Sequence, residues 1–181
     1  MTILKENELE SIFSEKGKVN LIVVETRNAE KVREEILEVL NNKKISGIYC
    51  LIGLRGTVIS EKSNNRIKII DCGYLAKTSV AGVARTLISC SSLSELSIGI
   101  SQEIQSIQSS PGKCDFVILD SVNSIFHFND EERAMRFMHF ISNKLRALSK
   151  NLILIFKDDG GYSKKLSIIK TFIDVVHHQS V

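Results

Sequence analysis

The apolar residues of the chain gather in five short runs separated by polar or glycine-bearing segments. They are Val19–Val24 (VNLIVV), Gly47–Ile52 (GIYCLI), Arg66–Cys72 (RIKIIDC), Asp115–Leu119 (DFVIL) and Leu152–Phe156 (LILIF). All are rich in Ile, Val and Leu, and three lack polar–apolar alternation, as expected of central parallel strands covered on both faces. RIKIIDC carries Lys68 and is expected nearer an edge. Between the runs the apolar period lengthens to that of helices. Ala29–Asn41 places Val32, Ile36, Val39 and Leu40 on one face, with Asn28 as N-cap and Glu30 in the first turn. Leu93–Gln108 aligns Leu93, Leu96, Ile100, Ile104 and Ile107. Glu131–Ser149 carries a stripe of Ala134, Phe137, Met138, Ile141, Leu145 and Leu148, with Arg133, Arg136, Lys144 and Arg146 largely outside it. Ser163–His177 offers Leu166, Ile169, Phe172, Ile173 and Val176 as a last helix. Strands alternating with helices predict βαβ crossovers, hence an α/β three-layer sandwich around a mostly parallel sheet of five strands or slightly more.

No linker or repeat divides the chain, so residues 1–181 are expected to form one domain, with Leu9, Ile12 and Phe13 making residues 1–15 a docking helix. The 181 residues, 43% hydrophobic and 25% charged, are ordinary globular usage. A formal charge of +3 and 6% aromatic residues disfavour a nucleic-acid partner, which calls for a concentrated basic face or a stacking platform. Lys5, Glu6, Glu8 and Glu10 interrupt any apolar leader, and no run reaches the ~18 apolar residues of a membrane span, so a cytoplasmic protein is expected. Cys50, Cys72, Cys90 and Cys114 lack the close pairing of zinc ligands and are expected to pack in the core.

Ligands of open parallel sheets collect beyond the carboxyl ends of the strands. The residues there are Glu25 and Thr26, Gly53–Thr57, Asp71 and Cys72, Asp120 and Ser121, and Lys157, Asp158 and Asp159. Of these, CDFVILDS is the most telling. Four apolar residues ended by Asp120 and Ser121 make a rigidly held carboxylate of the sort that positions magnesium in phosphoryl-transfer enzymes. A phosphate loop, G-x-x-x-x-G-K-[ST], is absent, as is G-x-G-x-x-G; the chain has no glycine between Val19 and Gly47. His127 and His139 have no partner at metal spacing and read as helix-surface or core-edge residues, and His177-His178 as the end of the last helix. Asp158-Asp159-Gly160-Gly161 reads as a turn, and no G-x-S-x-G elbow is present. The long stretches Gly53–Asn65 and Gly73–Cys90 are the least periodic, with Arg55, Lys77, Thr78 and Arg85 as stray positive or polar groups.

The order and spacing of VNLIVVETRNAEKVREEILEVL, RIKIIDC, SSLSELSIGISQEI and CDFVILDSVNSIFHFNDEERAMRFMHFISNKLR followed by LILIF resemble the RecA/KaiC-like branch of P-loop domains. The likeness is to small archaeal members with a degenerate phosphate loop and covers roughly residues 19–160. In that family a DS-x-x-x-L stretch follows the fourth strand, and Asp120, Ser121 and Ile125 match it. The resemblance implies a RecA-like fold, Asp120 at the Walker B position, and Thr26–Ala29 where the phosphate loop would lie. It also implies a catalytic carboxylate just after the second strand, where this chain reads Gly53-Leu54-Arg55-Gly56. The expectation is a non-catalytic regulatory or signalling module acting through a protein partner or self-association, needing no cofactor. The alternative is a nucleotide binder or weak ATPase using ATP and magnesium at an unorthodox site, with Thr26, Arg27, Asn28, Asp120 and Ser121 on the nucleotide and Asp120 on the metal. A nucleic-acid accessory role ranks last.

Overall fold

A computed structural model describes residues 6–53, 66–73, 85–109, 113–158 and 163–178. Among these residues seven strands form one sheet: β1 (Val19–Glu25), β2 (Gly47–Ile52), β3 (Ile67–Cys72), β4 (Arg85–Leu87), β5 (Phe116–Asp120), β6 (Asn151–Asp158) and β7 (Val175–His178). Their spatial order is β4-β3-β2-β5-β6-β1-β7, and every pairing is parallel. The helices are α1 (Glu6–Ser14), α2 (Ala29–Asn42), α3 (Leu93–Ser109), α4 (Val122–Phe128), α5 (Glu131–Ala147) and α6 (Ser163–Ile169). No helix among the described residues is long and apolar enough to cross a membrane.

The central strands lack alternation because both faces are covered. Along β1, Val19, Leu21 and Val23 join a core beneath α3–α6, whereas Ile22 and Val24 join a second core beneath α1 and α2. β5 divides likewise, with Val117 and Leu119 on one side and Phe116 and Ile118 on the other. Each fully buried aliphatic side chain contributes about 1.5–3 kcal/mol over an exposed one. These strands therefore hold the frame from which the strand ends project. In α1, Leu9 and Ile12 are buried while Phe13 meets the Phe116 ring edge-on at 5.7 Å. At Gly47 of β2 no side chain fits, since an added Cβ would lie 2.5 Å from the Phe116 carbonyl oxygen.

Three expectations change. The last helix does not run to His177: α6 ends at Ile169, a 3-10 turn covers Lys170–Phe172, and Val175–His178 is an edge strand on β1. Asp174 sets this change, because its Oδ2 accepts the Val19 amide at 2.7 Å and an Arg146 Nη2 at 3.0 Å, pulling the chain onto the sheet. His177 is therefore a strand residue, its Nε2 3.1 Å from Asn20 Oδ1. Second, the aperiodic Gly73–Cys90 stretch contains β4, three residues too short to show a period. RIKIIDC, expected nearer an edge, lies one strand in from the β4 edge. Third, α5 stops at Ala147, and Leu148 is exposed rather than part of the buried stripe; Ser149 beyond it takes a positive φ of 53°. The four cysteines are buried, and burial raises each thiol, Cys114 to about 11.

Asp174 yields a pH test. Burial alone would raise its carboxyl, but the Val19 amide and Arg146 outweigh it and hold the group below its usual range. A depressed folded value means stability that is present above the unfolded value of ~3.9 and disappears as pH falls through the folded value. Asp174→Asn should lower the melting temperature at neutral pH and flatten the loss of stability between about pH 5 and pH 2. Variant and wild-type profiles that run parallel across that window would show that Asp174 does not act this way.

Candidate functional site

The carboxyl ends of β1, β2, β5 and β6 meet over the middle of the sheet, and Asp120 closes β5 there. Strand alternation sends its side chain to the α2 face, as it does those of Phe116 and Ile118. Asp120 is completely buried. Its Oδ2 accepts from Arg33 Nε at 2.7 Å and from the Tyr49 hydroxyl at 2.9 Å, while its Oδ1 is buried with no hydrogen-bond partner among the described residues. Arg33, only 5% exposed, belongs to the buried stripe of α2 between Ala29 and Leu37, so the helix that covers the sheet delivers the guanidinium onto the carboxylate. Tyr49 reaches the same oxygen from the neighbouring strand β2, two residues before Leu51, the register partner of Asp120.

The electrostatics follow from this packing. Burial pulls the Arg33 guanidinium down, but Asp120 and Tyr49 outweigh it and leave the group above its ordinary range, permanently charged. Burial and the adjacent Asp120 charge raise Tyr49 well above the ordinary phenol range, so it remains a hydroxyl donor. Lys157, half-buried near the end of β6, is lowered chiefly by burial and by Arg33, with Asp120 opposing. Nearby, the Asn123 carboxamide accepts from Lys157 N at 2.7 Å and donates to Lys157 O at 2.8 Å, extending the β5–β6 ladder by one side-chain rung. Two cations, Arg33 and Lys157, and one neutral phenol hydroxyl are thus arranged around one carboxylate.

The expected site residues divide into two groups. Thr26–Asn28 form a single 3-10 turn between β1 and α2, closed by the Ala29 amide on the Thr26 carbonyl. Thr26 and Arg27 are exposed, and Arg27 Nε pairs with Glu25 Oε2 at 2.5 Å. Asn28 precedes α2 but makes no side-chain capping bond. Asp120 and Ser121 are both buried; a cis peptide joins them, and Ser121 Oγ lies 3.2 Å from Ser124 Oγ. Glu25 and Asp158 end β1 and β6 in register, placing two carboxylates on the rim beside the turn. Gly53 follows β2 with φ +69°, and an added Cβ would lie 2.9 Å from the Phe128 ring, so a side-chain acid at that position would be strained. Arg55, Lys77, Thr78 and Asp159 lie outside the described residues, and Arg85 opens β4 at the far edge. His127 and His139 are exposed helix residues, the latter with its ring 4.5 Å from that of Phe172.

Sequence reasoning passed over Arg33 and Tyr49. Both carried a signal: a charged residue at a stripe position of an amphipathic helix, and a hydroxyl in an otherwise apolar strand, each needing a buried polar partner. Removing one member of a buried ion pair costs about 3–5 kcal/mol, whereas replacing both by apolar groups is far cheaper. Arg33→Met should therefore destabilise the fold by about 3–5 kcal/mol in urea denaturation, and Arg33→Met/Asp120→Leu by clearly less than the sum of the single changes. Strict additivity would mean that the pair is not coupled.

Comparison with known proteins places the fold. The chain superposes on a KaiC-like protein, PH0186, from the hyperthermophilic archaeon Pyrococcus horikoshii with TM-score 0.68 and 17% identity, covering 98% of this chain and 79% of that one. A second protein of that organism, PH0321, solved in complex with an unknown peptide, gives TM-score 0.61 and 13% identity over 94% and 81% of the two chains. The flagellar accessory protein FlaH from Methanocaldococcus jannaschii gives 0.53 and 14% over 98% and 78%. At such identities the likeness is one of fold: a RecA-like α/β sandwich shared with KaiC-like proteins. No curated protein matches the sequence. One family model, described as a family of unknown function (DUF7504), matches residues 55–159. That match spans more than half of the chain, and the protein accordingly belongs to the DUF7504 family.

Proposed function

We propose that this protein is a non-catalytic KaiC-like domain that serves as a regulatory or signalling module through contacts with a protein partner. The observation that carries the reading is the guanidinium of Arg33 on the Asp120 carboxylate. Where the family resemblance implies a carboxylate directed at a nucleotide-bound cation, this chain supplies a cation of its own from α2. Two further features support it. The turn after β1 is three residues long and has no glycine, so it lacks the row of backbone amides that wraps a triphosphate. Glu25 and Asp158 on the rim oppose an anionic ligand.

Phosphoryl transfer depends almost wholly on positioning and on stabilising developing charge. On this reading the residues present do not fit a magnesium–nucleotide complex, because Asp120 is sequestered and the turn offers no cradle, and no step is routed through one. The fold then acts as a scaffold in the cytoplasm. PH0321, a protein of similar fold, was solved with a peptide bound, which accords with a partner of polypeptide character here.

Thermal melting with millimolar ATP, ADP or GTP plus magnesium is expected to leave the midpoint unchanged, and phosphate release should stay at the buffer rate. A native-state ligand at ~100 times its Kd adds about 2.7 kcal/mol, a shift well within detection. A saturable nucleotide-dependent rise that disappears in Asp120→Ala would replace this reading with that of a nucleotide binder using an unorthodox phosphate site.

A further inference from the structure

On the sheet face opposite α2, helices α3 and α5 bury stripes that include Leu96 and Ile100, and Phe137 and Met138. Two large apolar residues of these helices lie off the stripes. Ile98 is 57% exposed and Phe140 53% exposed, and neither is needed by the core. Together with Leu93 and Phe137 they line a groove of about 610 Å³ between the two helices. That volume lies within the range of recognition pockets, roughly 300–1,000 Å³. One wall carries the hydroxyls of Ser91, Ser92, Ser94 and Ser97, and the opposite rim carries Arg133 and Arg136.

The charge of the groove is one-sided. Among the described residues its lining has two arginines and no carboxylate. The acids that pair with those arginines, Asp130 at the N-cap of α5 and Glu132 in its first turn, lie outside the lining, and both pairs are widely exposed. Exposed pairs are worth only about 0–1 kcal/mol, so an arriving carboxylate can take either arginine at little cost. Glu95 in the first turn of α3 is exposed and also outside the lining. Lys144 lies about two turns beyond Arg136 along α5, its Nζ 5.5 Å over the Phe140 ring.

An apolar floor beneath a cationic rim selects its complement. We infer that this groove binds a short peptide segment of a partner protein, with two or three apolar anchors flanked by aspartate or glutamate. The apolar side chains would cover Ile98, Phe137 and Phe140, and the carboxylates would engage Arg133 and Arg136. The inference rests on the reading of the domain as an interaction module and supplies its docking surface and the chemistry of its partner.

The test is selection of a random peptide display library on the full-length protein, followed by fluorescence anisotropy of the enriched peptides. They are expected to combine Leu, Ile or Phe with an excess of Asp or Glu. Affinity should weaken as salt rises from about 50 to about 300 mM. It should fall by about tenfold or more in Ile98→Asp and in Arg133→Glu/Arg136→Glu, both surface changes whose folding is checked by melting. Enrichment of peptides without acidic residues, no enrichment, or binding unaffected by either variant would overturn the inference. So would sedimentation showing a dimer that Ile98→Asp dissociates, since a second copy would then occupy the groove. Failure of the peptide test leaves the nucleotide result standing, and nucleotide binding would leave the peptide result standing.

Discussion

The contact between Arg33 and Asp120 sets constraints that much of the surrounding structure obeys. A carboxylate with no access to solvent must be neutralised by a nearby cation, or its desolvation would cost several kcal/mol. The cation comes from the second turn of α2, so the helix must begin almost as soon as β1 ends. A long phosphate-wrapping loop at that place would carry Arg33 away from the strand ends. The three-residue turn and the buried ion pair are therefore one construction. Tyr49 completes it by donating to the oxygen that Arg33 already engages, and it fixes the carboxylate rotamer from the neighbouring strand.

The same geometry relates this chain to the fold it shares with KaiC-like proteins. The parallel sheet with helices on both faces agrees with the RecA-like fold expected from the order of the motifs. The difference lies in the means of charge compensation. In the proposed reading, a charge that a ligand would otherwise bring is built into a helix, and the fold keeps its shape without one. The two helical layers then have different roles. The α2 layer is closed over its own ion pair, while the α3–α5 layer presents apolar surface that its own core does not use.

The frame was legible because hydrophobic periodicity reports burial directly. Short apolar runs without alternation, bounded by polar or glycine-bearing segments, read as strands covered on both sides, and the stripes of α2, α3 and α5 matched the observed helices to within a few residues. What periodicity missed was local competition. The apolar spacing through Leu166, Ile169 and Phe172 suits a helix, but one side-chain bond from Asp174 to the Val19 amide redirects the chain into an edge strand. A three-residue strand such as β4 is shorter than any period can register. At the site, Asp120 stood out because it ended an apolar run. Its partners were hidden because they lie 87 and 71 residues away, and no local pattern encodes a pairing over that separation.

The central claim is that Arg33, and not a ligand-borne cation, compensates Asp120. A crystal structure determined after soaking with ATP and magnesium tests it most directly. The account predicts Arg33 Nε on Asp120, as in the ligand-free protein, and no ordered triphosphate beside the Thr26–Asn28 turn. A nucleotide ordered at that turn, with a metal ion on the Asp120 carboxylate and Arg33 swung aside, would contradict it.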